Sequence, residues 1–283
     1  MLTFVKRLKT DEDCYKLLSK IKWPGRQFIC AKCGNTTYHK GRSPYSRRCN
    51  RCKYDESVTA GTMFNKLKFP ILTAFKIVYR MATTDTGNSS KALAEEFGIQ
   101  KNTCLAFKHK IQQAMGAMQQ ERLTGDVQMC VGNVRKRSSQ IPFWEPDPVV
   151  YIAIAVEVRN GKPGRGFAIP VEKEEIAALI PLIDRYVNPD ARIQTVGQYG
   201  FMTKMKKRYK NISFVQYLPL LYEHFLVVQN WVSKECGNTT SDYLQCFLNE
   251  FYYHFNHHYT DWKSFVNLIR AMAKPVEGPT SLS

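Results

Sequence analysis

From Phe69 to Met115 the apolar residues recur every three to four positions, a period that predicts helices. Leu72, Phe75, Lys76 and Tyr79 mark a first helix, with Ile77 and Met81 on flanking positions. The polar run Thr83–Ser90 interrupts it, and Ser89 or Ser90 is placed to cap a short helix with Leu93 and Ala94 on its inner face. Gly98 supplies a turn and Ile99 plugs it. Thr103, Cys104, Phe107 and Ile111 then give the next helix its inner face. Residues 116–125 read as a linker or helix end. Beyond Gly125 the pattern becomes that of strands: Asp126–Val134, Val149–Val158, the turn-rich Arg159–Gly164, and Gly166–Val171 returning as a hairpin partner. Lys173–Val187 reads as one amphipathic helix, striped by Ile176, Leu179, Ile180, Ile183 and Val187. Strands are expected at Ile193–Tyr199 and Ser213–Tyr217 around a basic helix at Lys204–Lys210. Helical segments near Tyr222–Lys234 and Thr240–His257 close this half, and the sequence from Lys274 reads as disordered. The whole is a multidomain chain whose C-terminal half has a mixed α/β layout.

Charge narrows the partners. Lys and Arg number 41 against 24 Asp and Glu, for a net +17, and a surface this basic attracts polyanions. Clusters such as Arg135-Lys136-Arg137 and the run Lys204, Lys206, Lys207, Arg208 and Lys210 strengthen the nucleic-acid reading. No apolar run approaches the roughly 20 residues a bilayer span needs, so no membrane partner is expected. The N-terminus turns charged too early for a secretory signal. The expectation is a cytoplasmic, nucleoid-associated protein.

In a reducing compartment, cysteines point to metal before disulfides. Cys30-x2-Cys33 and Cys49-x2-Cys52 stand fifteen residues apart. Two such knuckles close a tetrahedral four-sulfur site with no open position, which makes the zinc structural. Gly34 follows the first knuckle, where positive φ is often needed. Lys32, Arg48, Arg51 and Lys53 offset the excess negative charge of four thiolates. His39 lies between the knuckles, but four sulfurs already fill the shell. Cys14, Cys104, Cys130, Cys236 and Cys246 are scattered and read as packing residues. His254 and His258 share a helix face, yet their aromatic neighbours favour packing over a second metal.

The helical stretch has the arrangement of a helix-turn-helix, whose second helix presents its N-terminal residues to base edges. Those residues are Gln100, Lys101, Asn102 and Thr103, with Lys108 and Lys110 expected on the phosphate backbone. A plain helical bundle with solvated polar faces would show the same stripes. The neighbouring zinc ribbon and the charge favour double-stranded DNA as partner.

The ribbon, the peptide SVTAGTMF (Ser57–Phe64), the helix-turn-helix and the layout after LTGDV together resemble insertion-sequence transposases of the zinc-ribbon type with an ISXO-like catalytic domain. The resemblance runs from about Trp23 to His258 and is strongest over Cys49–Phe64, Gly161–Phe201 and Leu244–His258. It implies domains at 1–66 (zinc ribbon with a short N-terminal helical segment), 67–118 (helix-turn-helix) and 119–265 (ribonuclease-H-like), with a flexible tail at 266–283. It also implies DNA cutting and joining by three acidic residues holding two magnesium ions. Pairing of DNA ends by oligomers is implied too, so a homo-oligomer or a larger protein complex is admitted.

Two magnesium ions about 4 Å apart need shared carboxylates. At the positions that the resemblance assigns to the acids, this sequence has Cys130 and Val131 on the first strand and Val196 after Thr195. The third position stays open among Val228, Asn230 with Ser233, and the nearby Glu223. Asp126, Glu157, Asp184 and Asp190 match none of these positions. The expectation is therefore structural zinc without magnesium, no assigned catalytic residue, and a transposase-like protein that binds DNA as a regulator, architectural or accessory factor. Two alternatives remain. One is an active transposase with a displaced acidic site. The other is a protein- or RNA-binding scaffold.

Overall fold

The computed structural model describes residues 7–84, 88–119, 121–135, 149–196, 199–235, 243–257 and 262–274. The chain divides into two compact units, Met1–Ala114 with Tyr259–Ser283, and Met115–His258. Cys236, His258, Lys136 and Arg137 lie outside the described residues. Among the described residues no helix is long and apolar enough to cross a membrane.

The first unit opens with α1 (Asp11–Lys22). The Thr10 hydroxyl accepts from the Asp13 amide while the Asp13 carboxylate accepts from the Thr10 amide, a reciprocal capping box. Three short antiparallel strands follow, β1 (Tyr38–Lys40), β2 (Arg47–Cys49) and β3 (Asp55–Glu56), with β2 in the middle. The Arg47 guanidinium lies over the rings of Trp23 and Tyr38, 4.5 and 4.2 Å from their centroids, and donates to the Gln27 carbonyl. Three helices come next: α2 (Ile71–Thr83), α3 (Ser90–Phe97) and α4 (Lys101–Met118). The Leu72 amide donates to Asp11 on α1, so ribbon and helices pack in one unit without a break near residue 66.

The unit is completed from the far end of the sequence. α9 (Trp262–Ala273) buries Phe265, Leu268, Ile269 and Met272, and Phe265 packs edge-on against Phe75 and Tyr79. This corrects the expectation of a flexible tail from residue 266 and of a domain end at 265. The apolar residues of WKSFVNLIRAMA recur at helical spacing, and their burial partners lie in α2, far away in sequence.

In the second unit, β4 (Asp126–Arg135), β5 (Val149–Arg159), β6 (Lys162–Val171), β7 (Arg192–Val196) and β8 (Ile212–Val215) form one sheet in the order β6-β5-β4-β7-β8. β4, β5 and β6 are antiparallel neighbours, whereas β7 runs parallel to β4 and β8 parallel to β7. The β5–β6 turn carries Asn160 and Gly161 at φ 52° and 71°, the paired positive values that match hairpin twist. One face packs Val127, Met129, Ala153 and Phe167 against α5 (Ile180–Tyr186), preceded by a 3₁₀ turn at Ile176–Leu179. α6 (Tyr199–Arg208) adds Met205 to this face. The other packs Val134, Ile152, Ile154 and Val156 against α7 (Pro219–Glu235) and α8 (Leu244–Asn256).

The expected single helix Lys173–Val187 is therefore split. Pro181 stands in the first turn of α5, where its missing N–H costs nothing; inside a longer helix its ring would meet the carbonyl of Ala177. The expected strand Ile193–Tyr199 ends at Val196, and Tyr199 starts α6.

Phe265→Ala should cost about 3–5 kcal/mol, the range for emptying a buried phenylalanine site. Hydrogen exchange checks it: protection should fall in α2 and α9 and persist in β4, β5 and β6. Unchanged protection in α2 would show that α9 is dispensable to the first unit.

Candidate metal centre and nucleic-acid interface

The two knuckles are built alike. In the first, the Gly34 amide donates to Cys30 O and the Cys30 amide to Asn35 O, both at 2.9 Å. In the second, the Lys53 amide donates to Cys49 O at 3.1 Å and the Cys49 amide to Tyr54 O at 2.9 Å. The residue after each knuckle is left-handed, Gly34 at φ 70° and Lys53 at φ 60°. The four ligand atoms lie within 4.8 Å of one another. Cys30 Sγ is 3.5 Å from Cys52 Sγ, and Cys33 Sγ is 3.6 Å from Cys49 Sγ. Zn–S bonds of about 2.3 Å in a tetrahedron place sulfurs about 3.7 Å apart, so this donor set fits a structural Zn2+.

Desolvation raises the Cys49 thiol, but the backbone amides of Cys52 and Arg51, with Cys33 and Asn35, outweigh it and bring it down to about 6. For Cys52 the Tyr54 amide works downward, yet burial and the three neighbouring sulfurs push it up to about 12. Sulfurs this crowded cannot all ionise without a cation among them. His39 bonds Asn50 Oδ1 at 2.7 Å through its Nδ1.

The interface on α4 begins at the turn. The Ser89 hydroxyl caps α3 by accepting from the Ala92 amide, and Gly98 ends it at φ 64°. Gln100 Oε1 accepts from both the amide and the hydroxyl of Thr103, at 2.9 Å each, closing the first turn of α4. Gln100, Lys101 and Asn102 are exposed and Thr103 is half-buried. Leu93, Cys104, Phe107 and Ile111 are buried on the inner face, as their spacing predicts.

Lys108 departs from expectation. It is 2% exposed, and its ammonium donates to the Asn88 carbonyl at 2.7 Å. A phosphate contact there is ruled out, because position 108 follows Cys104 and Phe107 onto the inner face. Lys110 is half-buried and donates to the Met63 carbonyl at 3.1 Å. It stands in the wall of a groove of about 330 Å³ beside Gln100, Asn102 and Thr103. Lys66 and Lys68 line the same groove. Sequence reasoning missed these two lysines, since only the fold brings the segment before α2 alongside α4.

A third place lies where β7 ends beside the middle of β4. Met129 and Thr195 are the last pair of the parallel register, and Cys130 and Val196 are the next residues of the two strands. Cys130, Val131 and Val196 line one cavity of about 410 Å³. Among the described residues Glu174 is its single acidic lining residue. Burial, with Glu174 nearby, pushes the Cys130 thiol up to about 12, so it stays protonated.

The other acids are held elsewhere. Asp126, at the opposite end of β4, is paired with Arg192, whose hydrogen bonds and charge lower its pKa. Glu157 is fully buried; burial works to raise its pKa, but hydrogen bonds from Arg165 and the Thr124 amide outweigh that. Asp184 accepts from Arg208 and Tyr209, and Asp190 lies at the turn before β7. Val228 is buried in the core, Asn230 and Glu223 are exposed, and Ser233 is half-buried.

Residues 9–55 match the family of the transposase zinc-ribbon domain. No curated protein matches the chain. Among solved structures, the chain is similar to one in the crystal structure of a pre-cleavage Mos1 transpososome, at 10% identity over 98% of this chain and 97% of that one. The TM-score of 0.26 is too low to support a fold assignment.

Gly34 and Lys53 occupy equivalent left-handed positions, so opposite substitutions should have opposite effects. Gly34→Ala should weaken zinc binding several-fold and Lys53→Gly strengthen it, each by about 1 kcal/mol of backbone strain. Competition with a chromophoric chelator reads both. No Cβ clash confounds the first, since nothing lies within 4 Å of one built at Gly34. Equal affinities across the three proteins would count against the backbone explanation.

Proposed function

We propose that this chain is a transposase-like protein that binds double-stranded DNA through its ribbon and helix-turn-helix, and that its C-terminal domain is a ribonuclease-H-like fold without strand-transfer activity. The observation that carries the second part is the trio Cys130, Val131 and Val196, which line one cavity where β7 ends beside the middle of β4. A thiol and two isopropyl groups cannot share two hard cations. The sheet order, with three antiparallel strands followed by two parallel ones, supports the ribonuclease-H-like reading.

DNA binding is supported by the match of residues 9–55 to a transposase zinc ribbon and by the net +17. The exposed row Gln100, Lys101 and Asn102, opening a helix after a glycine turn, supports major-groove reading. Lys66, Lys68 and Lys110 beside that row supply phosphate contacts in this reading. The protein then acts as a regulator, an architectural factor or an accessory to another machine. Pairing of two copies would bring two DNA sites together.

Selection of bound duplexes from a random pool tests the DNA-reading half. Asn102→Ala should relax preference at one base position and cost about 1–3 kcal/mol, while Lys66→Ala should weaken all duplexes alike and lower the salt slope by about one. Uniform weakening by Asn102→Ala would turn the reading toward a sequence-blind scaffold. Incubation of the pure protein with magnesium and supercoiled DNA tests the other half. No nicking or joining is expected, and cleavage abolished by Asp126→Ala or Glu174→Ala would overturn the inactive assignment.

A further inference from the structure

The cavity beside the middle of β4 and the end of β7 has a mouth that a closed core does not need. Tyr217 and Tyr222 stand at its rim, 62% and 52% exposed, with ring centroids 6.1 Å apart and planes inclined by 52°. Large aromatic rings left in water beside an open cavity are informative in a way that a single exposed leucine is not. Behind them the floor is apolar, formed by Cys130, Leu221 and Phe225. Gly132 lets the ring of Phe225 pack close against the backbone of β4, 2.5 Å from where a Cβ would be.

The polar groups around this floor are amides and one carboxylate. Asn133 donates to Glu174 Oε2 at 3.4 Å, and Gln229 donates to the Asn133 carbonyl at 3.3 Å. That leaves Asn133 Oδ1, Gln229 Oε1, the second Glu174 oxygen and the whole Gln216 amide facing solvent without a protein partner among the described residues. Among the described residues no Lys or Arg lines the cavity and its one charge is negative, which favours a neutral occupant over a phosphate. A flat, neutral ring with donors and acceptors on its edge fits well. At about 410 Å³ the space falls within the ~300–1,000 Å³ typical of small-molecule sites.

We propose that this cavity receives one unstacked nucleobase of a bound DNA strand, with Tyr217 and Tyr222 as the stacking platform and Glu174 accepting from an exocyclic amino group. This rests on the DNA-binding reading above and adds a second, single-strand site to it. The net +17 holds a strand near the protein, and stacking on aromatic faces then supplies most of the base affinity. A carboxylate acceptor favours cytosine or adenine over thymine, whose edge offers no amino group.

The test uses the full chain and a short single-stranded oligodeoxynucleotide carrying one 2-aminopurine, with the duplex selected above in parallel. Tyr217→Ala and Tyr222→Ala should each weaken single-strand affinity about tenfold and relieve 2-aminopurine quenching, while leaving duplex affinity unchanged. Both side chains are exposed, so neither change should disturb folding, and a thermal melt verifies this. Oligo-dC should bind several-fold more tightly than oligo-dT, and Glu174→Ala should erase that ratio even though removing a negative charge raises both affinities. Single-strand affinity indifferent to both tyrosines, with duplex binding intact, overturns the pocket alone. A wild-type chain that binds neither form overturns the DNA-binding reading with it. A change in sedimentation without a change in DNA binding would assign the rim to contact between copies.

Discussion

The backbone of β4 pairs antiparallel with β5 from Asp126 to Arg135 and parallel with β7 from Asp126 to Met129. Alternate side chains enter two different cores, Val127 and Met129 on one face, Gly132 and Val134 on the other. A slip of one residue would exchange these sets and unpack both cores at once, so the register is fixed from both faces. That constraint decides which side chains meet at the carboxyl edge. With Met129 opposite Thr195 as the last pair, positions 130 and 196 come next on the two strands and line one cavity, whatever chemistry they carry. Gly132 then lets α7 approach closely, because the ring of Phe225 occupies the place of a side chain.

In the first unit the ribbon has little apolar core of its own, and its seat is held by charges that are buried but paired. The Arg47 guanidinium is 8% exposed between two aromatic rings, with a carbonyl to receive its N–H. The Lys22 ammonium meets Glu56 at 2.8 Å and two carbonyls at the start of the segment leading to α2. Desolvation lowers the Lys22 pKa, and the Glu56 carboxylate opposes that shift. Buried pairs of this kind add little net stability but are costly to break singly. They fix orientation, while zinc closes the strands, since metal binding is coupled to folding in such modules.

Much of this was legible in the residues, and the exceptions have physical causes. The zinc ligands declare themselves because a knuckle is local: two cysteines, a tight turn and a left-handed residue within five positions. The cap at Ser89, the turn at Gly98 and the stripe Leu93, Cys104, Phe107 and Ile111 are local too, and all lie as their spacing demands. Lys108 misled because charge is read as exposure. Its helix position, one past Phe107, should have outweighed its charge, and a carbonyl at Asn88 makes its burial tolerable. Pro181 was a local signal passed over, whereas α9 was a distant one: its amphipathic stripe is plain, but its partner strip on α2 lies almost two hundred residues earlier. Lys66 and Lys68 belong to the same class, since no spacing rule joins them to Asn102. The rim tyrosines were invisible for a further reason, because exposure of an aromatic ring is a property of the folded surface.

A two-metal centre and a nucleobase pocket make opposite demands on the same edge of a sheet. Three carboxylates in one partly enclosed place repel each other unless cations hold them, and each one is a liability once its neighbours are gone. A lone acid at position 130 would face the apolar floor made by Leu221 and Phe225 and the existing charge of Glu174, with no cationic partner in the lining among the described residues. Desolvation and that like charge already drive the Cys130 thiol toward its protonated form, and a carboxyl there would feel the same two effects. Neutral replacements remove both costs together. On the reading proposed for this chain, losing one metal ligand weakens the hold on the cations, and without cations the charged form of the remaining acids is destabilised, so the edge settles as a partly apolar cavity with Glu174 as its one charge among the described residues. On the same reading such a cavity is unsuited to polarising a phosphodiester and suits the base of a nucleotide, which is the part that carries sequence.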